Sequence, residues 1–218
     1  MLTIPNNTLS QFQNERSYPT SMNKTLSYYN TNATTFYTTT VSADMTEILA
    51  IFTKALPENA TDILDLGCGS GRDSLYFLNH GYQVTSIDGS QELCKKASAL
   101  TGHPVLCKRF EDIDYQGQFD GIWACASILH VPMKDQTTTF QRITNALKPN
   151  GIIYASFKYG DYEGDRSGRY FTDLTEISLA SIVAPIPNLR VIQSFITTDV
   201  RPGRQDEKWL NAFLQKLP

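Results

Sequence analysis

Apolar positions along this chain change their period in a regular way. Short apolar runs bounded by turn residues alternate with stretches whose apolar residues recur every three or four positions. Asp62–Leu66, Tyr82–Ile87, Val105–Cys107, Phe119–Ala124 and Ile152–Phe157 read as strands. Between them Leu75, Phe77 and Leu78, then Leu93, Ala97 and Leu100, then Phe140, Ile143 and Leu147 mark the buried faces of helices. Gly81 stops the first of these helices, Ser90 caps the second, and Pro149-Asn150-Gly151 breaks the third. A further helix precedes them all, with Met45, Ile48, Leu49, Phe52 and Leu56 on one face, Asp44 as N-cap and Pro57 as stop. Such alternation predicts an α/β fold, a doubly wound sheet with helices on both faces.

Outside this stretch the pattern weakens. Residues 158–172 read as a Gly-, Tyr- and charge-rich loop, followed by a helix over Leu174–Ile182. Leu189–Ile196 and Trp209–Leu217 read as two last strands, although the second spacing also suits a helix. Residues 1–40 are rich in Asn, Thr, Ser and Tyr and poor in aliphatics, and residues 1–24 are expected to be a mobile tail. Tyr28, Tyr29, Phe36 and Tyr37 then supply four aromatics that need a surface to pack on.

Composition narrows the function. The chain has 218 residues, 41% of them hydrophobic, which is enough for one domain with a sizeable core, here residues 25–218. With 19 Lys+Arg against 22 Asp+Glu, the net charge of −3 argues against nucleic-acid binding by bulk charge and leaves local basic patches open. Cys68, Cys94, Cys107 and Cys125 form no C-x-x-C pair and have no His at metal spacing. They read as free thiols in a reducing compartment rather than a disulfide framework or a metal site. No apolar run is long enough to span a membrane, and residues 1–22 lack the pattern of a signal peptide, so the expectation is a cytoplasmic protein.

Chemistry concentrates at Asp65-Leu66-Gly67-Cys68-Gly69-Ser70-Gly71, between a strand and a helix. Glycines suit a tight turn where the backbone must approach a ligand that a Cβ would strike. Asp88 ends the next strand, so both acids lie at the carboxyl edge of adjacent strands, where open α/β sheets bind ligands. Asp88 is placed to accept the ribose hydroxyls of a nucleoside; an exposed turn residue is the alternative. A dinucleotide fingerprint starting at Gly67 needs glycine at position 72, where Arg72 stands, which counts against a nicotinamide-dependent oxidoreductase.

Leu64 through Gly71, the strand ending in Asp88, Phe119-Asp120 through Val131, and Leu147 through Gly151 together resemble the class I S-adenosylmethionine-dependent methyltransferases, from about Tyr28 to the C-terminus. Gly71-Arg72-Asp73-Ser74-Leu75 with Gly81-Tyr82-Gln83-Val84 is similar to the tellurite-resistance type of small-molecule methyltransferase. Trp123-Ala124-Cys125-Ala126-Ser127 and Arg169-Tyr170-Phe171-Thr172-Asp173-Leu174 resemble bacterial members that carry only the generic assignment. The resemblance therefore supplies no substrate. It implies a seven-stranded mixed sheet whose last strand inserts antiparallel, and S-adenosylmethionine as cofactor. Asp65 and the loop of Gly67, Cys68, Gly69 and Gly71 would hold its methionine portion, with Asp88, Gly89 and Ser90 at the ribose and Phe110 or Glu111 at the adenine. Ala124 and Cys125 would floor the sulfonium site, and residues 28–57, with Tyr28, Tyr29 and Tyr37, would close over it as a lid.

Methyl transfer from a sulfonium is an in-line displacement on an activated electrophile, so positioning and water exclusion dominate. His130 reads as a base or orienting group for the acceptor, or equally as a ring packed beneath the turn before Pro132. Arg72 opens a helix, where the macrodipole disfavours a cation, so it reads either as a contact to the cofactor carboxylate or an anionic substrate, or as a solvent-facing side chain. Residues 158–172 and 199–206 are expected to cap the acceptor, with Tyr37, Lys158, Arg169, Tyr170 and Arg201 biasing it towards anionic or aromatic molecules; a solvated loop is the alternative. Cys68 and Cys125 are read as small packing residues rather than reactive thiols. The reading is a methyltransferase acting on a small molecule, as a monomer or weak homodimer. A non-catalytic S-adenosylmethionine binder and an RNA or tRNA methyltransferase stand as alternatives. The amino-methylating Asn/Asp-Pro-Pro-aromatic tetrapeptide is absent, with Ala124-Cys125-Ala126-Ser127 in its place.

Overall fold

The computed structural model describes residues 20–218. Three helices, α1 (Thr20–Thr31), α2 (Ala33–Thr40) and α3 (Thr46–Ala55), precede the sheet. Then follow β1 (Asp62–Leu66), α4 (Arg72–Asn79), β2 (Gln83–Asp88), α5 (Gln91–Thr101), β3 (Val105–Cys107), β4 (Phe119–Ala124), α6 (Met133–Ala146) and β5 (Leu147–Lys158). The chain closes with β6 (Glu163–Arg166), β7 (Arg169–Thr172), α7 (Glu176–Val183), β8 (Leu189–Thr198) and β9 (Lys208–Lys216). Seven strands form one sheet in the order β3-β2-β1-β4-β5-β9-β8. The first five are parallel, and β9 inserts antiparallel between β5 and β8. This is the mixed seven-stranded architecture expected from the sequence.

β4 is buried at every position because helices cover both faces of the sheet centre, the usual condition of a parallel strand. On one face Ile48, Leu49 and Phe52 of α3 pack with Phe77 of α4 on Trp123, Tyr154 and Phe213. On the other, α6 and α7 contribute Phe140, Ile143, Leu179 and Ile182 against Ile122, Ile153 and Leu214. Phe52, Phe77 and Trp123 meet edge to face with ring centroids 5.2–5.7 Å apart, a favoured aromatic arrangement.

Several boundaries differ from the sequence pattern. Residues 1–19 of the expected tail lie outside the described residues, whereas Thr20–Lys24 belong to α1. Neither α1 nor α2 shows aliphatic periodicity. Short helices of this kind depend on tertiary contacts, here the hydrogen bond from Tyr170 N to Thr25 Oγ1 (2.9 Å) and the Lys24–Asp165 ion pair (2.7 Å). The stretch 158–172 is not a loop but largely a hairpin, β6–β7. Ser167 and Gly168 form its two-residue turn with φ of 51° and 82°, the doubly left-handed geometry that follows strand twist. In α4 only Phe77 of the three expected core residues is fully buried; Leu75 and Leu78 are half-buried, as is Leu100 in α5. The inward face of α4 is polar instead, because Asp73 and Ser74 serve the ligand edge. Leu147 begins β5 rather than ending the preceding helix. No helix among the described residues is long and apolar enough to cross a membrane.

Candidate active site

A cavity of about 220 Å³ lies at the carboxyl edge of β1, β2, β4 and β5. One wall is the β1–α4 loop, lining the cavity through Gly67, Cys68, Gly69 and Ser70; Gly67, Gly69 and Gly71 take φ of 77°, 56° and 82°, and Gly71, expected at the cofactor, lies off the cavity against Ala97 of α5. A Cβ at Gly67 would sit 2.4 Å from Ser127 Cβ, and one at Gly71 2.9 Å from Ala97 Cα. The loop therefore needs glycine both for its left-handed turns and for the approach of neighbouring elements. Gly67 and Cys68 hang from the end of β2 through their N–H groups to Ile87 O (2.9 and 3.0 Å).

The two acids predicted at this edge both line the cavity. Asp88 accepts hydrogen bonds from Gly69 N (2.9 Å) and Ser90 N (2.7 Å), one on each oxygen, which leaves each oxygen a further lone pair. Burial pushes its carboxyl above the usual range, with these two N–H groups opposing. Asp65 accepts from Ser74 Oγ (2.6 Å), and burial, then the neighbouring Asp73 carboxylate, raise it to about 8. Two buried carboxyls in a cleft, short of positive partners, are what a cationic, hydroxyl-bearing ligand would satisfy. Burial also drives the Cys68 thiol far up and the Cys125 thiol to about 12, so both are neutral packing groups rather than thiolates.

Arg72 is neither solvent-facing nor free. Its Nε and Nη2 grip Asp73 at 2.6 and 2.7 Å, and Nη1 donates to Thr40 O (3.2 Å). Asp73 also accepts from Trp123 Nε1 (2.8 Å), which ties this pair to the core. The macrodipole penalty expected at a helix start is offset by the adjacent carboxylate.

α1 and α2 roof the cavity with Thr25, Leu26, Tyr29, Phe36 and Thr40. Tyr28 and Tyr37, expected in the lid, turn away. The Arg169 guanidinium lies 4.7 Å from the Tyr28 ring, and Lys96 Nζ 5.6 Å from that of Tyr37. The helical period explains the split, since positions 25 and 29 share one face of α1 and positions 36 and 40 one face of α2. Ser90 is buried as the cap of α5, accepting from Leu93 N (3.3 Å), with its hydroxyl on Asn30 rather than in the cavity. Ala124 lies beneath the floor; Cys125, Ala126 and Ser127 form it. Phe110 lines the cavity and Glu111 does not, although both Glu111 carboxylate oxygens are buried without a hydrogen-bond partner.

His130 reaches the cavity and is held at both nitrogens. Nδ1 lies 2.5 Å from Tyr170 O and Nε2 2.8 Å from the Tyr29 hydroxyl. A carbonyl only accepts, so this network assigns the proton to Nδ1 and makes Nε2 the acceptor of Tyr29 O–H. Burial lowers the imidazole to about 4, so the ring is neutral near pH 7. Tyr170 contributes its backbone alone; its hydroxyl points outward to Glu163 (2.8 Å). Of the other expected acceptor residues, Lys158, Arg169 and Arg201 line the cavity. Lys158 pairs with Glu207 and lies 3.9 Å from the Trp209 ring centroid, and Arg201 grips Asp199 (2.6 Å). Sequence reasoning missed Phe36, Ser127 and Trp209. Ser127 Oγ is buried without a partner, and only its place just past β4 could have marked it.

Residues 64–155 match the family model described as a methyltransferase domain, and the sheet order, the inserted antiparallel strand and the acid–glycine-loop–acid edge are those expected from the resemblance to class I S-adenosylmethionine-dependent methyltransferases. Among curated relatives, the ubiquinone biosynthesis O-methyltransferase of Xanthomonas axonopodis pv. citri (strain 306) is 35% identical over 101 residues, 43% of this chain and 41% of that one. The glycine/sarcosine N-methyltransferase of Halorhodospira halochloris is 33% identical over 103 residues, 43% and 38%. The chain spans under half the length of these relatives. Among solved structures, the Burkholderia thailandensis 1,6-didemethyltoxoflavin-N1-methyltransferase, bound to 1,6-didemethyltoxoflavin and S-adenosylhomocysteine, superimposes with a TM-score of 0.73 at 21% identity, covering 94% of this chain and 93% of that one. The [4+2]-cyclase SpnF shares the fold with a TM-score of 0.68 at 17% identity, covering 93% and 98%. At these identities the structural likenesses speak for the fold alone.

Proposed function

We propose that this protein transfers a methyl group from S-adenosylmethionine to a small molecule. The observation that carries the reading is the cavity edge itself: two left-handed glycines, Gly67 and Gly69, beside two buried carboxyls, Asp65 and Asp88, roofed by aromatic residues. The donor set fits the cofactor. Asp65 with the Gly67–Gly71 backbone would hold the methionine ammonium and carboxylate end. Asp88, with a lone pair left on each oxygen, would take the ribose hydroxyls. Gly89 and Phe110 would flank the adenine, and Ser127 Oγ offers a polar group without a partner. The bound cofactor supplies a methyl group already activated by its sulfonium. The protein's share is then to orient the acceptor and exclude water, which Tyr29, Phe36, Leu129 and Phe171 do by closing the acceptor side with apolar surface. A cavity of this size and the net charge of −3 favour a small acceptor over nucleic acid, and four free cysteines suit the cytoplasm.

Calorimetric titration with S-adenosylmethionine and S-adenosylhomocysteine tests the cofactor, with Asp88→Ala in parallel. Micromolar binding is expected in the wild type and none in the variant, which also leaves the Gly69 and Ser90 N–H groups unpaired at about 1–3 kcal/mol each. A folded wild type that binds neither ligand sinks the reading. Tight binding with no conversion of cofactor to S-adenosylhomocysteine by any acceptor pool leaves a cofactor-binding protein without methyl transfer.

A further inference from the structure

Charge is distributed unevenly around the cavity. The cofactor end carries the two buried acids, Asp65 and Asp88. The opposite end, where β7 and the β8–β9 connection meet, is built from cations. Most of these are already neutralised. Arg201 grips Asp199 through two hydrogen bonds (2.8 and 2.6 Å), Arg204 grips Glu207 (2.5 and 2.9 Å), and Lys158 pairs with Glu207 and with Asp199 at 3.5 Å. Three cations share two carboxylates there, so the cluster keeps a net positive charge.

Arg169 differs from these. Among the described residues no carboxylate pairs with it. Its one hydrogen bond is long, from Nη1 to the Tyr29 hydroxyl at 3.5 Å, and Nε is buried without a partner. The guanidinium instead lies among aromatic faces, 4.7 Å from Tyr28, 5.8 Å from Tyr29 and 5.1 Å from Phe171 by ring centroid. These contacts hold the planar fork in place without satisfying its donors, and a guanidinium in that condition is a carboxylate site. Next to it the rings of Tyr29, His130 and Phe171 pack edge to face, with His130 4.9 Å from Phe171 and 5.5 Å from Tyr29, and make one continuous aromatic wall of the cavity against which a flat molecule can lie.

The hydrogen bonds beside Arg169 run in one direction. Arg169 donates to the Tyr29 hydroxyl, Tyr29 donates to His130 Nε2, and His130 Nδ1 donates to Tyr170 O. The chain ends on a carbonyl, which gives an acceptor's proton no onward acceptor. Burial holds His130 near 4 and raises Tyr29, so neither is a competent base at neutral pH.

We propose that the methyl acceptor is a planar, aromatic acid that binds as its anion, with its charge on the guanidinium of Arg169 and its ring against the wall formed by Tyr29, His130 and Phe171. The proposal rests on the methyltransferase reading and names the substrate class of that site. The methylated atom is then a carboxylate oxygen, which attacks already deprotonated while the methyl–sulfur bond of the cofactor breaks and its electron pair stays on sulfur, leaving a methyl ester and S-adenosylhomocysteine with no proton for a base to remove.

The experiment titrates the full chain, saturated with S-adenosylhomocysteine, with benzoate, with its neutral isostere benzamide and with non-planar acetate, by calorimetry. Benzoate is expected to bind at least tenfold more tightly than benzamide or acetate. Arg169→Gln is expected to erase that preference while keeping wild-type affinity for S-adenosylhomocysteine, which also shows that the variant folds. Equal affinities for benzoate and benzamide, no binding of benzoate, or an undiminished preference in Arg169→Gln each overturn the proposal. Failure of wild type to bind S-adenosylhomocysteine would instead overturn the methyltransferase reading on which it stands.

Discussion

Asp65→Asn should make the protein more stable and at the same time useless for cofactor binding. Asp65 is 2% exposed, beside the buried Asp73 carboxylate, and its carboxyl rises from the usual 3.8 to about 8. A group whose folded value lies above its unfolded one favours folding fully below the unfolded value and loses that advantage as pH climbs towards the folded one. At pH 7 the unfolded chain has an ionised Asp65 and the folded chain a neutral one. Folding therefore takes up a proton, at about 1.4 kcal/mol per pH unit above 3.8, or roughly 4 kcal/mol. Asparagine is neutral in both states and can still accept the Ser74 hydroxyl, which removes this cost. Urea unfolding at pH 5 and pH 7.5 reads the effect: the variant's advantage is expected to widen by about 1.4 kcal/mol per pH unit. The same variant should lose affinity for S-adenosylmethionine at pH 7.5, since it can no longer offer a carboxylate to a cationic ligand. An advantage that stays constant between the two pH values, or a variant that binds as well as wild type, refutes the reasoning. A site that lowers the stability of its own fold is the usual cost of burying an ionisable group where a ligand needs it.

Other substitutions read other parts of the site. Gly67→Ala forces a Cβ within 2.4 Å of Ser127 Cβ at φ 77°, and the left-handed conformation alone costs about 1–2 kcal/mol; a lower melting temperature and weaker S-adenosylhomocysteine binding are expected, and an unchanged protein would refute the tight approach. Arg72→Ala strands the buried Asp73 carboxylate, which also accepts from Trp123, and should cost about 3–5 kcal/mol in denaturant unfolding. A loss under 1 kcal/mol would show that Trp123 alone suffices.

The centre of the sheet was legible because β1, β4 and the second half of β5 are buried on both faces and so read as short, largely apolar runs. Asp65, the three glycines and Asp88 were legible for a related reason: a strand-to-helix turn at a sheet edge restricts residue type locally, through backbone conformation. The hairpin β6–β7 was missed because its strands are exposed and polar, so no alternation marks them, and only Ser167-Gly168 hinted at the turn. Helices α1 and α2 were missed for want of an aliphatic stripe. Tyr28, Tyr37, Gly71, Ser90, Glu111, Ala124 and Tyr170 were near the site in sequence and off the cavity wall in space, because a helix, strand or turn presents only one face.

By itself the sequence determined the α/β class, the strand order's parallel core, the glycine loop and the pair of edge acids, all of which depend on local backbone demands and short-range burial patterns. Only the tertiary structure decided which cations are free to meet a ligand. Lys158, Arg169 and Arg201 look alike along the chain; Arg201 is neutralised locally by Asp199, two residues away, but the pairing of Lys158 with Asp199 and Glu207 rests on how β5, β8 and β9 come together. Likewise His130 became a neutral, doubly anchored ring through α1 and β7, elements far from it in sequence. Charge compensation and desolvation depend on distances between remote segments, and those distances are set by the fold.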